Sequence, residues 1–262
     1  MKYENYQKLA FERQGRILRV TIDNPPLNMM VGVLHRDLHR FFEEINHDDE
    51  TGVVILTGRG EAFCAGLDIA AYASTFDKPM DYTVIASVPH LLHAMIDVRK
   101  PIIARLNGDT IGVGATIALF CDIVVAADHA TIADPHVRAG LVAGDGSALM
   151  WPLLIGLARA KEYLLTGNPI NAKDAAAMGL INRAVPAAAL DEEVDRLAAQ
   201  ILANAPMAVD LTKQALNMLL KQFAVSLATA HIGLETFTKA SQDHKEAVLA
   251  LRDNRAPNFT GR

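Results

Sequence analysis

The chain has 262 residues, 51% of them hydrophobic and 21% charged, enough to bury one large core or two small ones. Its formal net charge of −5 argues against a nucleic-acid partner, which would need a concentrated basic face. No apolar run reaches the roughly 18 residues of a membrane span, and the stretch from Met1 to Val20 mixes Lys2, Glu4, Lys8, Glu12, Arg13, Arg16 and Arg19 among its apolar positions, so neither insertion nor export is expected.

Lys8 to Arg13 and Arg16 to Asp23 read as two strands joined by a tight turn at Gly15, with Asn24-Pro25-Pro26 ending the second because proline cannot continue a ladder. Between Val33 and Ile45 the apolar residues Val33, Leu34, Leu38, Phe41, Phe42 and Ile45 recur at three and four, which predicts an amphipathic helix. The run VVILT, Val53 to Thr57, is bounded by Gly52 and Gly58 and reads as a strand buried on both faces. A helix over about Val84 to Val98 precedes a strand at Ile102 to Leu106, and a helix at Ile111 to Phe120 precedes a strand at Ile123 to Ala126. Such alternation predicts parallel strands with covering helices. From about Asp145 onward nearly everything reads as helix, including Leu190–Ala203, Met207–Leu220 and Val225–Ala240, with one strand-like piece at Leu180 to Ala184. Pro206 fits a first helical turn, where no N–H partner is lost.

Two glycine-rich segments follow strands directly: Gly58 to Ile69 (GRGEAFCAGLDI) and Asn107 to Gly114 (NGDTIGVG). The second opens a helix, and a helix N-terminus offers unpaired N–H groups and the positive end of a dipole. Two such loops could each aim one amide at a single oxygen. A dinucleotide fingerprint starting at Gly112 fails, since Ile117 stands where its last glycine belongs, and no phosphate-loop Gly-Lys-Ser/Thr occurs. The two cysteines, Cys64 and Cys121, are too few for a disulfide framework, so a reduced, cytoplasmic protein is expected. His, Cys and carboxylate residues do not cluster at ligand spacing, and no metal is expected.

Several ordered motifs carry a resemblance. EAFCAGLDI (Glu61 to Ile69), PIIARLNGDTIGVGATIALFCD (Pro101 to Asp122), the stretch Ala130 to Gly146, Leu164-Leu165-Thr166-Gly167, AAAMGLI (Ala175 to Ile181) and the tail RAPNFTGR together resemble the crotonase (enoyl-CoA hydratase/isomerase) superfamily over essentially the whole chain. The resemblance implies an α/β fold, a spiral of ββα units over residues 1–190, with a helical C-terminal trimerisation region over 191–262 and trimers that can pair into hexamers. It implies an acyl-CoA substrate, with coenzyme A as part of that substrate and no separate cofactor. Its thioester oxygen would meet the backbone N–H groups of Leu67 and Val113. Leu27, Asn28, Cys64, Ala65, Gly66, Asp68, Ile69, Gly112 and Thr116 would line the substrate, while Pro26 replaces the usual basic residue before the Leu-Asn pair.

The departures from the family pattern bear most on the chemistry. Hydratases of the family use two glutamates, and the matching positions here are Thr116 and His136. What the chain offers instead is Asp134-Pro135-His136 and, nine residues past the histidine, Gly144-Asp145-Gly146. An imidazole and a carboxylate at an oxyanion site make a candidate general-base pair, with Asp145 orienting a neutral His136. Thr116, lacking a carboxyl, is expected to carry no proton. Asp145 is equally a candidate N-cap for the following helix. The pattern HVRAGLVAGDG followed by Trp151-Pro152 is also similar to 6-oxocamphor hydrolase, a crotonase relative that cleaves a carbon–carbon bond in a cyclic β-diketone with an activated water. Three readings stand at this point: an acyl-CoA enzyme with altered acid–base groups, a β-diketone hydrolase using His136 and Asp145, and a non-catalytic acyl-CoA-binding relative.

Overall fold

The computed structural model describes residues 3–73 and 82–262. In chain order the elements are β1 (Leu9–Gln14), β2 (Ile17–Ile22), α1 (Gly32–Glu44), β3 (Val53–Gly58), β4 (Ala62–Cys64), α2 (Ile69–Ala73), α3 (Tyr82–Asp97), β5 (Ile102–Leu106), β6 (Asp109–Ile111), α4 (Val113–Leu119), β7 (Ile123–Ala127), β8 (Thr131–Ala133), α5 (Ser147–Ile155), α6 (Leu157–Thr166), β9 (Ile170–Asn171), α7 (Ala172–Met178), β10 (Arg183–Val185), α8 (Leu190–Leu202), α9 (Pro206–Phe223), α10 (Thr229–Lys239) and α11 (Gln242–Arg252). None of the helices among the described residues is long and apolar enough to cross a membrane.

The strands form two sheets, in the order β1-β2-β3-β5-β7-β10 and β4-β6-β8-β9. β1 and β2 pair antiparallel as the Gly15 turn predicts, and β2, β3, β5, β7 and β10 are parallel to one another. Each turn of the spiral therefore gives one strand to the large sheet and one to the small: β3 then β4, β5 then β6, β7 then β8. The three-residue strands of the small sheet sit inside segments that read as loops in the sequence. The last large-sheet strand lies at Arg183–Val185, three residues beyond the start of the expected piece at Leu180, because Leu180 and Ile181 are core side chains of the preceding turn.

Burial on β3 explains its unbroken apolar run. Val54 and Leu56 point into the main core with α1 and the small sheet, while Val53 and Ile55 point to the opposite face. That outer face, joined by Ile103 and Val125, is covered by Leu190, Val194, Leu197 and Ala198 of α8. Each large side chain so buried contributes about 1.5–3 kcal/mol, so α8 closes the spiral core although it belongs to the helical C-terminal stretch. α9 begins at Pro206, as expected for its first turn. It is fixed to the spiral by Lys213, whose buried ammonium donates to Asp122 Oδ2 (2.7 Å) and to the Lys100 carbonyl (2.9 Å).

Candidate active site

The two glycine-rich loops pack against each other. A Cβ on Gly114 would stand 2.3 Å from the Cys64 carbonyl oxygen, so only glycine lets α4 approach the end of β4 this closely. Leu67 forms a parallel bridge with Met30, in which the Met30 N–H donates to the Gly66 carbonyl (2.7 Å) and the Asp68 N–H to the Met30 carbonyl (3.3 Å). In that pattern the Leu67 amide points away from Met30. Val113 is the first residue of α4, where an N–H has no acceptor within the helix. Two amides from successive turns of the spiral thus sit on adjoining loops, one turned away from its bridge partner and one at the start of a helix.

The proton-transfer groups gather beside the second amide. The ring of His136, on the short 3-10 turn His136–Ala139 after β8, has its Cε1 4.0 Å from the Cβ position of Gly112. Its Nδ1 lies 2.5 Å from Asp134 Oδ1, and its backbone N–H donates to the same oxygen (3.1 Å). Its Nε2 lies 3.6 Å from Asp145 Oδ2. Asp145 accepts a hydrogen bond from Thr116 Oγ1 (3.0 Å), one turn into α4, and the Thr116 and Ser147 hydroxyls are 3.1 Å apart. Asp134, Asp145, Thr116 and Ser147 are all buried. Against the expectation from sequence spacing, Asp134, His136 and Asp145 cluster in space, each bringing one potential ligand atom within 4.8 Å of the others.

Electrostatics corrects the expected roles. Burial opposes a charge on His136, but the Asp134 and Asp145 carboxylates and the Asp134 hydrogen bond outweigh it and push the ring up to about 10. The direction favours the imidazolium over the neutral ring that a general base at this position would need. Burial would raise Asp134, yet the imidazolium, its hydrogen bond and the Ser147 hydroxyl hold it below the usual carboxylate range. Asp145 is raised to about 6, chiefly by burial; the imidazolium and the Thr116 hydrogen bond work against this, and the Asp134 and Glu235 carboxylates add to it. Asp145 is not the cap of α5 either: the N-cap is Gly146 and the Asp145 side chain turns to Thr116.

The remaining expected residues divide between lining and scaffold. Leu27 and Leu67 are exposed beside the loop cleft, with Ala65 and Ile69 half-buried behind them. Asn28 is fully buried and its amide donates to the Arg59 and Ala62 carbonyls (2.9 and 2.8 Å), so its side chain is committed to holding the loop. Asp68 accepts from the Ala71 N–H (2.9 Å) and caps α2. Burial pushes the Cys64 thiol up to about 11, which leaves it a packing residue.

Three residues join the site beyond those expected to act in it. Asp134 was visible in the same tripeptide as His136, and Ser147 follows the Gly-Asp-Gly run. Glu235 carries no local signal: it is a buried carboxylate on α10, paired with Lys239 (2.7 Å), and its helix meets the Asp145 loop where a Cβ on Gly144 would lie 2.8 Å from the Glu235 Cβ. On the other side His244 of α11 ties the catalytic turn to α2, its Nδ1 2.6 Å from the Ala139 carbonyl and its Nε2 3.1 Å from the Tyr72 hydroxyl.

The sequence profile of the enoyl-CoA hydratase/isomerase family matches residues 12–262. The chain belongs to that family. Among its relatives, the carnitinyl-CoA dehydratase of Proteus mirabilis is 31% identical over 98% of this chain and 99% of its own length. A probable enoyl-CoA hydratase of Mycobacterium tuberculosis is 31% identical over 98% of this chain and 99% of its own length. The crystal structure of an enoyl-CoA hydratase/isomerase from Mycobacterium paratuberculosis superposes with a TM-score of 0.88 at 32% identity, covering 94% of this chain and 99% of that one. Membership makes the chain an enzyme of the hydratase/isomerase type with the crotonase fold, and an acyl-CoA substrate is in keeping with the family.

Proposed function

We propose that this protein polarises the thioester carbonyl of an acyl-CoA at the Leu67 and Val113 amides and stabilises the oxyanion or enolate that forms. In this reading the buried acid–base cluster of His136 and its neighbouring aspartates serves in place of the two glutamates used by family hydratases. The observation that carries it is the placement of the His136 ring at the amide end of α4, with Asp145 beside it. One amide donor to a developing oxyanion is worth about 2.7–4 kcal/mol of transition-state stabilisation. Coenzyme A enters as part of the substrate, and no separate cofactor is needed. The exposed apolar side chains of α9 and α10, Met207, Leu216 and Phe237 among them, support assembly into a trimer or a dimer of trimers. Two buried free thiols support a reducing, cytoplasmic location.

A second reading, hydrolytic cleavage of a β-diketone, is favoured by one observation: Thr116 stands on α4 at the position that matches a family glutamate, and its hydroxyl donates to Asp145, a buried carboxylate beside His136. The test offers purified protein crotonyl-CoA and, separately, cyclohexane-1,3-dione, with binding followed by calorimetry and products by NMR. Binding and turnover of crotonyl-CoA is the expected result. Ring opening of the dione without affinity for the thioester would replace the first reading by the second. Binding of crotonyl-CoA with no turnover of either would leave a binding protein.

A further inference from the structure

The hydrogen-bond geometry assigns distinct roles to the two aspartates flanking His136. Asp134 Oδ1 takes both the ring Nδ1–H and the backbone N–H of His136, so Asp134 fixes the ring's position. Asp145, at 3.6 Å, is beyond hydrogen-bond length from Nε2, and its short bond comes from Thr116 instead. The charged groups around the ring come from four elements: Asp134 after β8, Asp145 before α5, Glu235 with Lys239 on α10, and His244 on α11, which burial, foremost, pushes down toward the neutral form. His136 pairs most closely with Asp134, and Lys239 with Glu235, while the Asp145 carboxylate stands farther from the ring, 3.6 Å from Nε2.

The hydroxyls beside it are arranged for a group that changes state. Thr116 and Ser147 have one hydroxyl hydrogen each and lie beside Asp145, in hydrogen-bond reach of each other. When Asp145 is ionised, Thr116 donates to it and Ser147 donates to Thr116. When Asp145 is protonated, its own O–H donates to Thr116 and Thr116 donates to Ser147. Thr116 thus stays hydrogen-bonded to Asp145 in both states with no side chain moving.

We infer that Asp145, not His136, takes up and returns the proton in this site, that Asp134 holds His136 as a standing imidazolium, and that the Thr116–Ser147 pair re-aims its hydroxyls to serve both states of Asp145. The inference rests on the reading that the site moves a proton at a polarised carbonyl. The Asp145 carboxylate removes one proton from water or from the carbon next to the carbonyl. The electron pair left behind attacks the carbonyl carbon, or spreads onto the carbonyl oxygen, and that oxygen carries the negative charge at the Leu67 and Val113 amides. The proton returns from Asp145 to the leaving atom or to carbon. Asp134, Thr116 and Ser147 are positioning residues in this scheme.

The experiment is an NMR titration of the substrate-free protein carrying labelled histidine rings and aspartate carboxyls. Between about pH 5 and 8 the wild-type His136 ring nitrogens should stay at imidazolium positions. One carboxyl carbon should titrate with a midpoint near 6 and vanish in Asp145→Asn. Asp134→Asn should release the ring to titrate inside that range. Thr116→Val should raise the carboxyl midpoint by about one unit, a tenfold change in proton affinity, and Thr116→Ser should restore it. A wild-type ring that titrates in this range with no carboxyl transition overturns the inference, as does a midpoint unmoved by Thr116→Val. Should Asp134→Asn fail to fold, the wild-type ring and the Thr116 variants still decide. Because no substrate is used, this result is independent of whether crotonyl-CoA is turned over.

Discussion

At His136 burial and charge pull in opposite directions, and the sign of the outcome sets a pH dependence. The free ring titrates near 6.5 and the folded one near 10, so folding is favoured by the extra proton affinity. That contribution is fully present below about pH 6.5 and is lost as pH rises toward 10. Urea unfolding should therefore show wild-type stability falling from pH 7 to pH 10, with a drop on the order of a few kcal/mol that is absent in His136→Gln. Equal slopes in the two proteins would mean the ring is not a standing cation. The sequence showed His136 and Asp145 as the residues left once the glutamate positions were read as Thr116 and His136. It could not show which aspartate holds the ring, because that depends on the direction of two side chains around Pro135. Glu235 was beyond reach altogether, since only packing of α10 on Gly144 brings it near.

The N-terminus of α4 is the element on which the proposed oxyanion donor depends, and proline can test it there with little collateral damage. Val113 is the first helical residue, where a missing N–H breaks no helical bond. Val113→Pro should leave the melting temperature within a few degrees of wild type while lowering kcat by about 10²–10³-fold. A variant with undiminished kcat would remove Val113 from the hole. Elements with a full period were legible: the three-and-four spacing gave α1 within one residue at each end, and the unbroken VVILT run marked β3. β4, β6 and β8 were not, because three residues cannot display a period and two of these strands are embedded in glycine-rich stretches. Those short strands nonetheless set the site, since each leads into a loop or turn that carries Leu67, Val113 or His136.

For the molecule as a whole, the unpartnered apolar side chains of α9 and α10 demand cover. Sedimentation should give a trimer or a dimer of trimers at micromolar protein, and Leu216→Glu combined with Val225→Glu, both exposed in the single chain, should shift it to monomer without unfolding it. A wild-type monomer would refute the assembly. The buried Lys213–Asp122 bond means that α9 is already fixed on the spiral before any partner arrives. The spiral also has a bearing on how the protein comes into being. Leu67, Val113 and His136 belong to three successive turns, and Glu235 to a helix near the end of the chain. Contacts so distant along the chain form slowly and late, and a nascent chain leaving the ribosome holds only isolated pieces of the site. In the proposed reading, acid–base chemistry is thus withheld from any copy that lacks one of these turns.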